Sequence, residues 1–132
     1  MNNSNSPTMR SLEDLHSTHV GESALDNWYR SIRDIPVADL SIGDIARCVR
    51  QGLFPDNIVP LAMMRLHDDP LVGEMYDGEL LVSLRSISET FWRQKDDLRT
   101  QLQNIISGID MSHFDPDEIE DIEAIKQKLM ST

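Results

Sequence analysis

The chain has 132 residues, the length of one ordinary domain, and 39% of them are hydrophobic, which is enough for a core. Six glycines, six prolines and one cysteine exclude collagen-like, Pro/Gly-repeat and disulfide-scaffold proteins. Twelve basic and 23 acidic side chains give a net charge of −11, which repels phosphate backbones and anionic lipid. We therefore expect no direct binding to nucleic acid or to a membrane surface, whereas a basic protein partner would be attracted.

The cysteine content and the absence of export signals favour a cytoplasmic location. Cys48 is the only cysteine in the sequence, so an intramolecular disulfide cannot form. The first thirty residues lack the basic-then-apolar pattern of a secretory signal. No apolar run approaches the roughly 18–20 residues of a membrane span. We expect a soluble, cytoplasmic protein.

The N-terminal region has little apolar character. Its first ten residues, MNNSNSPTMR, contain methionine as the only large apolar residue type, so they bury too little surface to offset the entropy of ordering. A weak helical pattern around Leu12 and Leu15 fits either a docked turn or a continuation of the tail. We predict a flexible tail over residues 1–22 and a single helical domain over residues 23–132.

Two short helices are predicted next. Asp26 is a candidate N-cap for the first, and Pro36 discourages its continuation. The apolar face of this helix is Trp28, Ile32 and Ile35. Ser41 is a clearer N-cap for the second, with Asp44 as the capping-box acid and Gly52 as the C-terminal stop. The core-facing residues of the second helix are Ile45, Cys48 and Val49.

A third helix is predicted to begin at Asp56 or Asn57 and to end at residues 68–70, which read Asp-Asp-Pro. Pro60 would then lie in the first turn, where its missing N–H has no intrahelical partner. The buried stripe of this helix is Val59, Met63 and Leu66.

Residues 71–78 form a connector or a short turn, and Asp77 is a candidate cap for the element that follows. From Glu79 to about Ser107 the apolar residues keep helical spacing, which predicts one long helix or two in tandem, closed by Gly108. The apolar positions are Leu80, Leu84, Ile87, Phe91, Leu98, Leu102 and Ile105.

The last helix has the clearest start. Asp115 is its predicted N-cap and Pro116 its first residue, followed by acidic residues that suit a helix N-terminus. Its core face is Ile119, Ile122, Ile125 and Leu129. The sequence contains no alternating strand pattern and no internal repeat. The predicted fold is all-α, a compact bundle of about five or six helices with a disordered N-terminal tail.

No catalytic or metal-binding pattern stands out. Residues 67–69, His-Asp-Asp, resemble the His-Asp pair of metal-dependent phosphohydrolases, but the other histidines lie in the N-terminal region or in a loop. Residues 110–121 fail the calcium-loop pattern, because Asp115 stands where glycine is required. Cys48 is in register with core residues and has no evident histidine partner. We expect no enzymatic activity, no metal and no cofactor.

Acidic residues concentrate in two places. The last 23 residues carry −5 of the net charge, and a second acidic group surrounds Met75 and Tyr76. A methionine and an aromatic residue ringed by acids are typical of an interface centre with a charged rim. The alternative is that both side chains pack under the next helix and the acids only solubilise the surface. The candidate binding residues are Asp68, Asp69, Glu74, Tyr76, Asp77, Glu79, Glu118, Glu120 and Asp121.

Two blocks of the sequence have distinctive patterns. The first reads NWYRSIRDIP at residues 27–36 and continues as LSIGDIAR at residues 40–47. The second reads VPLA at residues 59–62 and DPLVGEMYDGELL at residues 69–81. Together they resemble a bacterial family of contact-dependent growth inhibition (CDI) immunity proteins. The resemblance leaves out the N-terminal tail and the acidic last helix.

The resemblance implies a cytoplasmic protein that binds and neutralises the C-terminal toxin domain of a cognate surface-delivered effector. Such toxin domains are commonly nucleases, whose basic phosphate-binding sites would attract an acidic partner. The candidate residues above then become toxin contacts, through the acids around Tyr76 or through the last helix.

Two other functional classes remain open, as does the oligomeric state. One is an acidic helical adaptor or antitoxin-like regulator of another basic protein. The other is a metal-dependent hydrolase that uses His67 and Asp68.

Overall fold

A computed structural model describes residues 7–16 and 24–130 of the chain. These residues form eight α-helices and no β-strand, which confirms the all-α fold. The helices are α1 (Met9–His16), α2 (Ala24–Ile32), α3 (Ile42–Arg50), α4 (Pro55–Asp68), α5 (Glu79–Ser83), α6 (Glu89–Gln94), α7 (Asp96–Ser107) and α8 (Pro116–Met130). Three 3-10 turns span Val37–Asp39, Leu84–Ser86 and Met111–His113. None of the described helices is long and apolar enough to cross a membrane.

The shortest helix, α5, lies at the centre of the bundle. All five of its residues are buried, and it packs between α3 on one side and α8 on the other. Around this centre α4 contacts α3 and α7, while α6 contacts α7 and α8. The connector of residues 71–78 leads into the N-terminus of α5, so the position of α5 determines where that connector reaches the surface.

The Ser41 cap, the Gly52 stop and the buried face of α3 are confirmed, whereas Asp44 does not act as a capping-box acid. The Ser41 hydroxyl accepts a hydrogen bond from the Asp44 N–H at 3.1 Å, and Gly52 follows the helix with a φ of 67°. The Asp44 carboxylate accepts a hydrogen bond from the Trp28 indole N–H at 2.9 Å, which ties α3 to α2. The Arg47 guanidinium lies over the same indole ring at 4.6 Å.

Two predicted features of α2 are wrong. The helix begins at Ala24, so Asp26 lies inside it and is not its cap. It ends at Ile32, because the Ile35 N–H donates to the Ile32 carbonyl in a turn that precedes Pro36. Beyond the helix its periodicity no longer applies, and Ile35 is 37% exposed.

The α4 prediction is right about the core and wrong about the helix start. Val59, Met63 and Leu66 are buried as expected. The helix begins at Pro55, however, so Pro60 lies inside it and not in the first turn. A proline is itself well suited to the first helical position, which is why the true start is earlier than the predicted caps.

The apolar run after residue 78 is divided into more helices than predicted. It forms α5, a 3-10 turn, α6 and α7 instead of one or two helices. Ser88 starts α6 anew, since its hydroxyl accepts a hydrogen bond from the Phe91 N–H at 3.1 Å. Lys95, with φ −125° and ψ 66°, separates α6 from α7. The helical spacing survives these breaks because each piece turns its apolar residues toward the same core.

The start of α8 is a reciprocal capping box, as the sequence predicts for Asp115. Its carboxylate accepts a hydrogen bond from the Glu118 N–H at 2.8 Å, and the Glu118 carboxylate accepts one from the Asp115 N–H at 3.0 Å. Of the predicted core face, Ile122, Ile125 and Leu129 are buried, and Ile119 is half-buried against the core.

Residues 7–16 form a docked element where the sequence predicts a flexible tail. The Val37 N–H donates to the Pro7 carbonyl at 2.8 Å, and the Arg10 guanidinium pairs with the Asp34 carboxylate. Met9 and Leu12 are buried in the core. This outcome corresponds to the docked turn considered for Leu12, and the physical reason is the complete burial of Met9. The rest of the predicted tail lies outside the described residues.

Candidate functional site

A surface groove of about 400 Å³ lies between the connector of residues 71–78 and the start of α8. One wall comes from the connector and the other from the first two turns of α8 with the 3-10 turn before it. The lining residues are Tyr76, Asp77, His113, Asp115, Asp117, Glu118 and Asp121. Tyr76 and Asp77 of the connector thus meet the acids at the start of α8 in one place, which we call the acidic groove.

Close packing of Gly78 on Phe114 brings the two walls together. Gly78 precedes α5 with a φ of 86°, and a Cβ at this position would lie 3.3 Å from the Phe114 Cδ1 atom. Gly78 itself is the N-cap residue of α5, and no side chain of the described residues caps this helix. The prediction of Asp77 as the cap is therefore wrong. Phe114 is itself buried. Only glycine fits both the left-handed backbone and the adjacent ring.

Four of the nine candidate binding residues line the acidic groove: Tyr76, Asp77, Glu118 and Asp121. Asp68 and Asp69 are instead exposed at the end of α4, where the Asp69 carboxylate accepts a hydrogen bond from the Leu71 N–H at 3.0 Å. Glu120 is exposed next to the groove residues in sequence and lies 3.8 Å from the Arg85 guanidinium. These three acids are not part of the groove lining.

Two further candidates, Glu74 and Glu79, brace the connector. Glu79 is 4% exposed, and one of its carboxylate oxygens accepts hydrogen bonds from the N–H groups of Glu74 and Met75, at 2.8 and 3.2 Å. The Glu74 carboxylate accepts a hydrogen bond from the Gly43 N–H at the start of α3. The carboxylate of Glu79 therefore faces the interior of the protein and is hardly exposed to solvent.

Neighbouring charges affect the Tyr76 hydroxyl and the Asp121 carboxylate of the groove. Burial raises the pKa of the Tyr76 hydroxyl, and the negative charges of Glu79, Glu118 and Asp121 raise it further, against the opposing effect of Arg50. Tyr76 therefore stays a neutral hydrogen-bond donor. Asp121 lies 2.6 Å from the Arg85 guanidinium, which neutralises part of its charge and ties α8 to the Leu84–Ser86 turn.

A profile model of a family described as CDI immunity proteins matches residues 11–102. This chain belongs to the CDI immunity proteins. The family supports a function in immunity against a CDI toxin. The match ends within α7, so the connector wall of the acidic groove lies inside it and the α8 wall lies beyond it. A comparison with curated proteins gives no match to this immunity protein.

Three groove residues of the immunity protein were not predicted as contacts: His113, Asp115 and Asp117. Asp115 was identified only as a helix cap, although a cap residue at an exposed helix start also presents its charge to solvent. Asp117, in the first turn of α8, could have been selected by the same charge count that selected Glu118. Nothing in the sequence near His113 indicates that it lines a groove with Tyr76.

The alternative function, a metal-dependent hydrolase that uses His67 and Asp68, gains no support from the structure. Among the described residues, no three His, Cys, Asp or Glu side chains are close enough to hold a metal ion together. The His67 ring nitrogen Nε2 lies 2.9 Å from the Gln101 side-chain oxygen. Burial and the nearby Asp44 carboxylate raise the pKa of the Cys48 thiol to about 12, which keeps this group protonated and unreactive.

Proposed function

We propose that this immunity protein binds the C-terminal domain of a CDI toxin one to one in the cytoplasm, that it acts without catalysis, and that the toxin is a nuclease. Family membership supports a toxin as the partner. The acidic groove supports the nuclease class, because a nuclease needs basic side chains to hold phosphates. Direct contact with nucleic acid or membrane is not part of the proposal, since the net charge of −11 repels both.

Asp77 and Asp117 are the groove acids most available to a cation of the partner. Both are exposed, and neither side chain forms a hydrogen bond or ion pair with another described residue. They stand on opposite walls, one on the connector and one on α8. By contrast, Asp121 is paired with Arg85, and Glu118 belongs to the capping box. A lysine or arginine side chain entering the groove would therefore interact mainly with Asp77 and Asp117.

The experiment uses the purified toxin domain encoded by the effector gene immediately upstream. Calorimetry should give a one-to-one complex, and transfer RNA incubated with the toxin should remain intact once the immunity protein is equimolar. Absence of binding would contradict the proposal and favour an adaptor or regulator of another basic protein. Inhibition of a toxin that leaves nucleic acids intact would retain the immunity function and contradict the nuclease class.

A matched pair of charge reversals tests the groove itself. Asp117→Lys and Asp97→Lys both reverse an exposed acid in the first turn of a helix, so their effects on the helix dipole are comparable. We expect Asp117→Lys to lower the association rate constant about tenfold and Asp97→Lys to change it less than about twofold. Equal effects of the two reversals would show that the groove is not the docking site.

A further inference from the structure

The tip of the connector of residues 71–78 presents two neighbouring apolar side chains to solvent. Met75 is 82% exposed and Tyr76 is 46% exposed, next to the acidic groove. The other large exposed hydrophobic residues of the described chain are Ile35, Met64 and Met130, each separate in sequence. Apolar side chains at the edge of a polar groove are typical of protein-binding sites. An exposed methionine beside an aromatic residue is therefore a candidate anchor.

The carboxylate of Glu79 holds this tip from inside the protein. Glu79 is 4% exposed, and its oxygen accepts hydrogen bonds from two consecutive N–H groups, those of Glu74 and Met75. Burying a carboxylate is unfavourable unless hydrogen bonds compensate it. Both compensating bonds come from the connector, so Glu79 determines the backbone direction at Met75.

Other contacts fix the base and the side of the same connector. The Gly78 N–H donates to the Leu71 carbonyl at 2.7 Å, which closes the base of the loop. Gly73 allows close approach to α5, because a Cβ there would lie 2.8 Å from the Glu79 Cβ atom. Glu74 is tied to the start of α3 through the Gly43 N–H. The tip is thus held before any partner arrives, and a preorganised loop loses little conformational entropy on binding.

We infer that Met75 is the apolar anchor of the complex, inserted into an apolar pocket of the toxin that is bordered by lysine or arginine side chains, and that Glu79 is its positioning residue. The inference rests on the proposed toxin-binding function. The unbranched methionine side chain adapts to an irregular pocket. Asp77 and the acidic groove lie beside the anchor, so the border of the receiving pocket must be basic.

Alanine substitutions of two exposed methionines test the anchor. Met75→Ala should weaken the complex with the purified upstream toxin domain about tenfold or more, mainly through faster dissociation, as expected for a central apolar contact. Met64→Ala, at a methionine that is 65% exposed on α4, is the matched control and should leave the affinity unchanged. Thermal unfolding of both variants should match the unsubstituted protein, since both side chains lie largely in solvent.

A double-mutant cycle tests the positioning role of Glu79. If Glu79 acts by placing Met75, Glu79→Ala should weaken toxin binding in the natural background and have little further effect in the Met75→Ala background. Glu79→Gln retains an oxygen acceptor and should restore most of the affinity. Equal effects of Glu79→Ala in both backgrounds would contradict a positioning role. If Glu79→Ala does not fold, Glu79→Asp replaces it in the cycle, because its shorter side chain moves the carboxylate away from the Glu74 and Met75 N–H groups.

The outcomes separate this inference from the proposed function. If the unsubstituted protein binds the toxin and Met75→Ala binds as tightly as Met64→Ala, the anchor is wrong while the immunity function stands. If the unsubstituted protein does not bind the toxin, both proposals are overturned. Loss of affinity in Met75→Ala with an unchanged salt dependence of association would support an apolar contact distinct from the charge contribution of Asp117.

Discussion

Two glycines show how single residues shape the surface of this protein. Gly52 and Gly78 both adopt positive φ values, 67° and 86°, which are unfavourable for residues with a Cβ atom. Their surroundings differ: the Cβ position of Gly52 has no atom within 4 Å, whereas that of Gly78 faces the Phe114 ring. The sequence identified Gly52 as a helix stop, but Asp77 was predicted as the cap before α5, where the structure has Gly78.

Alanine substitutions of Gly52 and Gly78 should therefore lower the free energy of unfolding by different amounts. Gly52→Ala should lower the free energy of unfolding by about 1–2 kcal/mol, the strain of a left-handed residue with a side chain. Gly78→Ala adds overpacking against Phe114 and should lower it by about 1–3 kcal/mol more. Urea unfolding followed by circular dichroism measures both. Equal losses would mean that Phe114 moves away without cost and that the groove walls are not tightly packed.

At the scale of elements, the predicted N-caps were right where the side chain of the cap residue forms its hydrogen bond, at Ser41 and Asp115, and wrong for α2, α4 and α5. Ser41 and Asp115 cap α3 and α8 through the hydrogen bonds expected of them. The run from Glu79 to Ser107 was predicted as one or two helices because its apolar spacing is continuous. Ser88 and Lys95 break it, yet the buried face is maintained across both breaks. Periodicity indicates which side of a helix is buried, and N-cap residues indicate where a helix begins.

The first helix offers a test of packing at the level of an element. Met9 of α1 is fully buried, so Met9→Ala should lower the free energy of unfolding by about 2 kcal/mol or more. Met64, 65% exposed on α4, is the matched control, and Met64→Ala should change it by less than about 0.5 kcal/mol. Chemical unfolding of the full chain compares them. A Met9→Ala protein as stable as the control would show that α1 contributes little to the core.

For the whole molecule, the distribution of the negative charge determines which surface would attract a basic partner. The last 23 residues carry −5 of the −11, and the fold places the first acids of α8 opposite Asp77. Asp77 and the first acids of α8, about 40 residues apart in sequence, thus form one negative surface. The resulting field acts over about 10 Å at moderate salt, further than any hydrogen bond.

This field should make toxin capture sensitive to salt. We expect the association rate constant with the toxin domain to fall about tenfold or more between roughly 20 and 500 mM salt, because screening removes electrostatic steering. The dissociation rate constant should change much less. Stopped-flow measurements at several salt concentrations give both constants. An association rate that does not depend on salt would contradict a docking process driven by the acidic surface.

Local rules were sufficient for the helical class, the caps at Ser41 and Asp115 and most buried faces, since each depends on residues within a turn or two of one another. The negative charge follows from the composition alone. The family resemblance supplied the toxin as the partner. Packing alone decided that Tyr76 and Asp77 meet α8, that Glu79 turns inward to hold Met75, and that Met9 anchors α1. These features depend on which segments distant in sequence come together around α5, and no local pattern encodes that arrangement.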